Sequence, residues 1–282
     1  MPSSWHGNDS AARLFSSFIA RFIPGFTQGR RNLPMFTVAL IGPDGAGKTT
    51  VGRQLEHRLP LPVKYIYMGV STDSSNVMLP TTRLMHKLKR AAGGKADVAG
   101  PPDPNRVKKK PKGFVKRTLA EGRAVLRLLN RLSEEWYRQG LTWNYQRQGN
   151  IVLFDRHFFT DYYAYDIADG GKQRDVTQRI HGFMLKHVYP KPDLVIYLDA
   201  PGAVLFARKG EGSIEALERR RQDYLQLRDQ VEHFAVVDAT QPQEKVVQDV
   251  VALIWNFYQT QTKSDRDKQQ QHEAKSTHHS SH

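Results

Sequence analysis

The sequence predicts an α/β protein with a parallel central sheet covered by helices on both faces. Short apolar runs of strand length recur along the chain, each followed by a stretch with helical spacing, and this alternation builds parallel sheets. The runs are apolar throughout rather than every second residue, as strands buried on both faces are. A glycine-rich turn between the first strand and the first helix is the third observation, because open sheets of this class place ligands at the ends of their strands.

The elements follow in order. Residues 36–41 read as a strand, 49–59 as a helix with Val51, Leu55 and Leu59 on one face, and 63–68 as a second strand. From 83 to 131 the chain turns basic, with a basic insertion at about 83–117 that includes Lys108, Lys109 and Lys110. Its middle, 91–111, is rich in Gly, Pro and Lys and reads as a loop. Residues 114–148 read as a long helix, with Leu126, Leu129, Leu132, Trp136 and Tyr137 to one side. A strand at 151–154 ends at Asp155-Arg156, and a helix over 177–188 has Ile180, Met184 and His187 at helical spacing. Residues 194–198 form a strand ending at Asp199. Helical stretches at 202–208 and 213–232 follow, then a strand at 234–237. A helix over 242–258, with Val246, Val250, Leu253 and Ile254 inward, closes the domain. The domain therefore spans 36–261. Residues 262–282 are polar, rich in Gln, Lys and His, and are expected to be a disordered tail.

Residues 1–35 stand apart as a basic amphipathic N-terminal extension. Leu14, Phe15, Phe18, Ile19, Phe22, Ile23 and Phe26 share a helical face, flanked by Arg13, Arg21, Arg30 and Arg31. Three readings stay open: a helix packed on the domain, a peripheral membrane contact through 13–26, and an organellar presequence. A secretory signal does not fit, since Arg21 interrupts the apolar residues.

Composition bounds the function. Of 282 residues, 39% are hydrophobic and 25% charged, which rules out wholesale disorder. No apolar run reaches the ~18 residues of a spanning helix. With Cys 0 there is no disulfide framework, thiolate metal site or cysteine nucleophile. That fits a reducing compartment, so a cytoplasmic location is expected, with membrane-peripheral contact as the addition. The balance of 42 Lys+Arg against 28 Asp+Glu gives +14 and calls for an anionic partner.

Gly42-Pro43-Asp44-Gly45-Ala46-Gly47-Lys48-Thr49 matches G-x-x-x-x-G-K-[ST], and it lies between an apolar strand and a helix as that motif requires. The glycines let backbone N–H groups turn around phosphate oxygens at a helix N-terminus. Lys48 is placed to bridge the β- and γ-phosphates of ATP, and Thr49 to offer a hydroxyl to Mg²⁺. Residues 42–49 and Thr50 form the expected nucleotide site. Asp155, at a strand end, is the second candidate metal residue, and Arg156 can clamp an acceptor phosphate. Arg208, Lys209, Arg219, Arg220 and Arg221 suit a lid that offsets charge on a transferring phosphoryl group.

In this order these pieces resemble the thymidylate kinases. The resemblance rests on residues 44–50, Asp155-Arg156-His157, residues 192–199, Arg219-x-Arg221-x-x-Tyr224-Leu225 and Val237-Asp238-Ala239. It implies a three-layer α/β/α P-loop NTPase fold with a parallel central sheet. It also implies transfer of the ATP γ-phosphoryl to a nucleoside monophosphate, thymidylate being the first choice. Lys48, Arg156, Arg208, Arg219 and Arg221 are then the catalytic candidates, and Asp44, Arg156 and Tyr165 the acceptor-binding ones. Gly45 stands where some members carry a loop arginine, so the resemblance assigns that charge to the lid. Two departures stand out: the turn at 67–71 has no arginine, and Ala164-Tyr165-Asp166 carries an acid where the family has an amide. A kinase of the same fold acting on a sugar or lipid intermediate is therefore the alternative. A nucleic-acid-associated ATPase is a weaker one, because Lys108, Lys109 and Lys110 lack interleaved aromatics for stacking bases. A homodimer is the remaining expectation about partners.

Overall fold

The computed structural model describes residues 35–69, 77–91, 114–167 and 174–279. The N-terminal extension and most of the basic insertion lie outside them. Five strands, β1 (Thr37–Ile41), β2 (Val63–Tyr67), β3 (Ile151–Asp155), β4 (Leu194–Asp199) and β5 (Phe234–Asp238), form one sheet in the order β2-β3-β1-β4-β5. Every pairing is parallel.

The two-faced burial expected of apolar strands is borne out residue by residue. Val38 and Leu40 of β1, Ile151 and Leu153 of β3, and Leu194, Ile196 and Leu198 of β4 pack into one core. Val51 and Leu55 of helix α1 (Lys48–Arg58) cover it, with Val246, Val247, Val250 and Ile254 of the C-terminal helix, α8 (Gln243–His279). The intervening Ala39, Ile41, Val152, Phe154, Val195 and Tyr197 meet a second core of Phe158, Phe159, Tyr162, Leu185 and Tyr189. These come from α4 (Phe158–Tyr162), α5 (Val176–His187) and the turn after it. The layers are thus α/β/α. The remaining helices are α2 (Pro80–Ala91), α3 (Phe114–Arg147), α6 (Gly202–Lys209) and α7 (Ile214–Leu225).

Four differences from the sequence reading have physical causes. Helix α2 occupies the start of the basic insertion, with Pro80 at its first position, where the missing N–H costs nothing. Beyond Arg156, α4 runs into a π-helical turn (Tyr163–Ile167) that puts Asp166 at the interior. Helix α5 buries His181, Gly182 and Leu185, whereas Ile180 and Phe183 face solvent. Helix α8 continues to His279 where a disordered tail is expected from 262, since no Gly or Pro interrupts 243–279 and Gln, Lys and Glu are good helix formers.

Helix α3 departs most from its expected orientation. Its buried side chains are Leu128, Glu134, Glu135, Arg138, Gln139 and Thr142, while Leu119, Val125, Leu126 and Leu129 are more than half exposed or at half. Its polar residues serve the interior because partners wait there. Glu134 accepts from the Leu79 N–H, and Glu135 contacts His181.

Candidate functional site

The phosphate loop connects β1 to α1 at the C-terminal edge of the sheet, and the helix begins at Lys48 itself. Gly45 has φ +91, and a Cβ there would stand 2.8 Å from the Leu205 carbonyl oxygen. The loop therefore has no room for a side chain at this position, in keeping with a cation supplied from elsewhere. Lys48 is 5% exposed, and its ammonium donates to the carbonyls of Gly42 (2.7 Å) and Pro43 (2.8 Å). Burial, reinforced by the nearby Arg156 cation, lowers its pKa to about 7. An incoming polyphosphate would meet an ammonium held on two carbonyls at the mouth of the loop.

Asp155 ties that loop to the sheet. It is fully buried at the end of β3, and its Oδ2 accepts from Thr49 Oγ1 (2.5 Å) and Tyr65 Oη (2.6 Å). Burial and the Asp155 charge push the Tyr65 hydroxyl's pKa up, so it stays a donor. The other oxygen, Oδ1, is buried with no hydrogen-bond partner among the described residues. A buried carboxylate oxygen without a partner is costly, and one beside a threonine hydroxyl has the chemistry of a hard-cation site. The residues present therefore fit Mg²⁺, with Thr49 and Asp155 as its protein oxygens.

A third group faces the loop from the acceptor side. Arg156, the residue after β3, adopts a left-handed backbone with φ 69, and its N–H donates to the Leu40 carbonyl (3.0 Å). Its guanidinium is hydrogen-bonded to Asp44. Arg220 of α7 approaches the same carboxylate at 3.6 Å. Burial alone would raise the Asp44 pKa, but Arg156, Lys48 and Arg220 outweigh it and hold the carboxyl far below the usual range. Asp161 completes the cluster: it accepts from Tyr224 Oη (3.0 Å) and acts electrostatically on both Arg156 and Lys48. Two basic groups from different elements thus meet at one carboxylate of the phosphate loop.

Not every expected residue joins them. Arg221 is turned to β4, pairing both oxygens of Asp199 (2.6 and 2.8 Å) and Glu218 (2.9 Å). Arg208 and Arg219 are exposed. Arg220, named only as part of the lid, is the arginine of 208–221 that reaches the loop. Arg220 precedes the inward-facing Tyr224 by one turn, so the packing of α7 brings it round to the loop. Tyr165 lies in the π-helical turn, and its side chain is outside the described ones. Asp161 had no signal of its own, and Tyr224 was visible only within the family resemblance; they meet across 63 residues of sequence.

Asp166 does not present itself as a substitute for an amide. Its Oδ2 lies 2.6 Å from His181 Nδ1, and Glu135 Oε1 lies 2.9 Å from Nε2, all three side chains being buried. Arg131 is 3.9 Å from Asp166 and stacks over the Tyr162 ring. A neutral imidazole has one donor nitrogen, so two ionised carboxylates call for the doubly protonated ring. Burial opposes that charge, but the two carboxylates prevail and raise the pKa above its ordinary value. Because the folded pKa exceeds the unfolded one of about 6.5, the stabilisation is complete below that pH and fades as pH rises through the folded value. The stability that the parent holds over His181→Gln, followed by chemical denaturation, should therefore be largest near pH 6 and shrink towards alkaline pH. An unchanged slope in the variant would remove His181 from this role. His181→Ala, which strands two buried carboxylates, should lose about 3–5 kcal/mol.

Comparison with known proteins agrees with this geometry. The family model described as thymidylate kinase matches residues 82–250, a span that excludes the phosphate loop, so the two observations are separate. A thymidylate kinase of Alteromonas mediterranea is 41% identical over 118 residues, covering 39% of this chain and 52% of that protein. One from Haemophilus ducreyi is 34% identical over 119 residues (39% and 54%), and a probable thymidylate kinase of Saccharolobus solfataricus is 29% identical over 114 (38% and 56%). The chain spans about half the length of the curated relatives it matches. With the family model covering more than half of its residues, and the phosphate loop standing just ahead of that match, the chain belongs to the thymidylate kinase family.

Proposed function

We propose that this protein transfers the γ-phosphoryl group of ATP to a nucleoside monophosphate, with thymidylate as the first acceptor to test. The observation that carries the reading is the meeting of Lys48, Thr49 and Asp155 with the Asp44–Arg156–Arg220 cluster at one end of the sheet. Donor and acceptor machinery then lie within one charge network. The N–H groups of the loop cradle the donor phosphates, and Lys48 exchanges its two carbonyl partners for phosphate oxygens. Mg²⁺, when bound, would neutralise charge on the transferring group. Thr49 and Asp155 hold it, Arg156 holds the acceptor phosphate, and Asp44 meets the acceptor sugar. Arg220 takes the lid role expected of Arg208, Arg219 and Arg221. A pocket of about 100 Å³ bordered by Arg131, Tyr162, Thr177 and Gln178 offers donors and acceptors for the edge of a base.

The second reading, a kinase of this fold with another acceptor, is favoured by Asp166, whose carboxylate at the edge of the pocket is engaged with His181 rather than presented to a ligand. Labelled ATP offered to thymidylate, other mononucleotides, sugars and lipid intermediates separates the readings. Label on thymidylate supports the first, label only on a non-nucleotide supports the second, and free phosphate alone sinks both. The metal is tested in the same assay. Chelation should remove transfer and added magnesium restore it, while Asp155→Asn, which removes the carboxylate charge from the cation site, should raise the magnesium requirement at least about tenfold. Transfer undiminished in chelator would contradict the assignment.

Leu119, Leu126 and Leu129 make an exposed apolar stripe along α3, and Leu84 and Leu88 a shorter one on α2. We propose that a second copy covers these stripes in a homodimer. Sedimentation velocity should show a dimer that Leu126→Glu converts to monomer; a monomeric parent protein would end the proposal. Peripheral membrane contact through 13–26 concerns residues outside the described ones. Among the described residues, no helix is long and apolar enough to cross a membrane.

A further inference from the structure

We propose that Arg138 of α3 is a positioning residue for Arg156, and through it for the acceptor phosphate; the second half of this statement rests on the phosphotransferase reading above. Arg138 is 3% exposed. Its Nη1 donates to the carbonyls of Met68 and Gly69, both at 3.0 Å, just beyond the end of β2. Glu134 stands 3.7 Å from Nη2, the guanidinium lies 5.4 Å from the centre of the Phe158 ring, and Nε is buried with no hydrogen-bond partner. Burial pulls its pKa below the ordinary arginine value. A cation so placed is a poor stabilising device, since an apolar side chain of similar volume often serves a core as well or better.

What the guanidinium does touch is the surroundings of Arg156 on two sides. Gly69 is pressed between the end of the Tyr67 ring and the Arg156 stem: a Cβ at residue 69 would overlap the Tyr67 hydroxyl and stand 2.8 Å from Arg156 Cδ. Phe158, under the guanidinium, is two residues beyond Arg156 on the same chain. The Met68 N–H also donates to the Asp155 carbonyl (2.9 Å), which binds this turn to the backbone immediately before Arg156. Arg156 itself holds a left-handed conformation that a non-glycine residue keeps only when its surroundings over-determine it. Arg138 supplies that determination by fixing the two carbonyls that form the wall. The turn at 67–71 has no arginine of its own, and α3 delivers one to it from about 70 residues away in sequence.

The test compares Arg138→Lys, Arg138→Met and Gly69→Ala in the parent protein with Arg138→Lys in an Arg156→Lys background. Thermal midpoints are measured beside the KM for thymidylate and for ATP. In the parent, Arg138→Lys should raise the thymidylate KM at least about fivefold and the ATP KM less than about twofold. In the Arg156→Lys background the same change should add less than about twofold, because residues acting through one another are non-additive. Gly69→Ala displaces the Arg156 stem directly and should reproduce the selective effect with Arg138 intact. A purely structural Arg138 would give equal changes in both backgrounds and in both KM values, and that overturns the inference. If Arg138→Met does not fold, the lysine and Gly69 variants carry the comparison. A measurement free of activity separates this inference from the functional reading. The Arg156 Nε–Hε NMR resonance, assigned by its loss in Arg156→Lys, should shift in Arg138→Lys and Gly69→Ala and stay in place in Arg228→Lys. A parent protein that labels no thymidylate removes the acceptor assignment alone; an Arg156 resonance unmoved in both variants removes Arg138.

Discussion

Lys48→Ala should abolish phosphoryl transfer, with kcat down at least about 10²–10³-fold, while the protein stays folded. The magnitude is that of removing one preorganised donor from a developing oxyanion, about 3–4 kcal/mol of transition-state stabilisation. Stability should change little for a reason the sequence does not show. Lys48 is a buried cation, not a solvated loop residue, and burial has already brought its pKa down to about 7. Deleting it removes two hydrogen bonds to the Gly42 and Pro43 carbonyls but also removes a desolvated charge. These contributions oppose one another, each of order 1–3 kcal/mol. Circular dichroism and the thermal midpoint check the fold, and a labelled-ATP assay checks the chemistry. A folded variant with parental turnover would show that the loop does not hold a reacting phosphate.

How much of this was legible depends on the range over which each feature is determined. The phosphate loop could be read because its geometry is set within eight consecutive residues: glycines, a lysine and a threonine at fixed offsets between strand and helix. Strands β1, β3 and β4 could be read because burial on both faces leaves a nearly unbroken apolar run in each; β2 and β5, less buried, keep shorter ones. Helix α3 could be placed but not oriented. The reading of Leu126 and Leu129 as inward assumed that a helix buries its most apolar stripe. Glu134, Glu135 and Arg138 are buried instead, because Leu79, His181 and the turn after β2 offer them partners that no local window contains.

The same limit governed the lid. Spacing alone left Arg208, Arg219, Arg220 and Arg221 equivalent, and only the packing of α7 on the sheet distinguishes them. Tyr224 is drawn in by Asp161, which carries Arg220 towards Asp44, while Arg221 falls on the flank that meets Asp199. Asp161 and Asp166 were likewise invisible as site residues. Each acquires its role from a helix that folds back over more than ten residues of chain.

Arg156→Lys should impair use of the acceptor far more than binding of ATP. A guanidinium presents two parallel donors to two phosphate oxygens, which an ammonium cannot copy even though the charge is kept. Loss of one hydrogen bond to a charged group is about 1.5–3 kcal/mol, or roughly 10–10²-fold in acceptor kcat/KM. In the structure one guanidinium nitrogen, Nη2, is bound to Asp44, and Arg220 approaches the same carboxylate. An acceptor phosphate must therefore draw Arg156 partly away from Asp44, and it also frees that carboxylate to meet the sugar. If this exchange operates, Asp44→Asn in the same background should weaken the acceptor less than additively, because the two residues share one interaction. ATP affinity should stay within about twofold, since the lysine keeps the positive charge that acts on Lys48 and the loop. A structural Arg156 predicts something else. Its left-handed backbone and its N–H bond to Leu40 would remain, but the loss of a mostly buried charge pair would lower the thermal midpoint and disturb ATP and acceptor alike. Titration calorimetry with ATP and with thymidylate on the same variant decides between them. Equal losses for both ligands would assign Arg156 to the fold, whereas a loss confined to thymidylate assigns it to the acceptor phosphate.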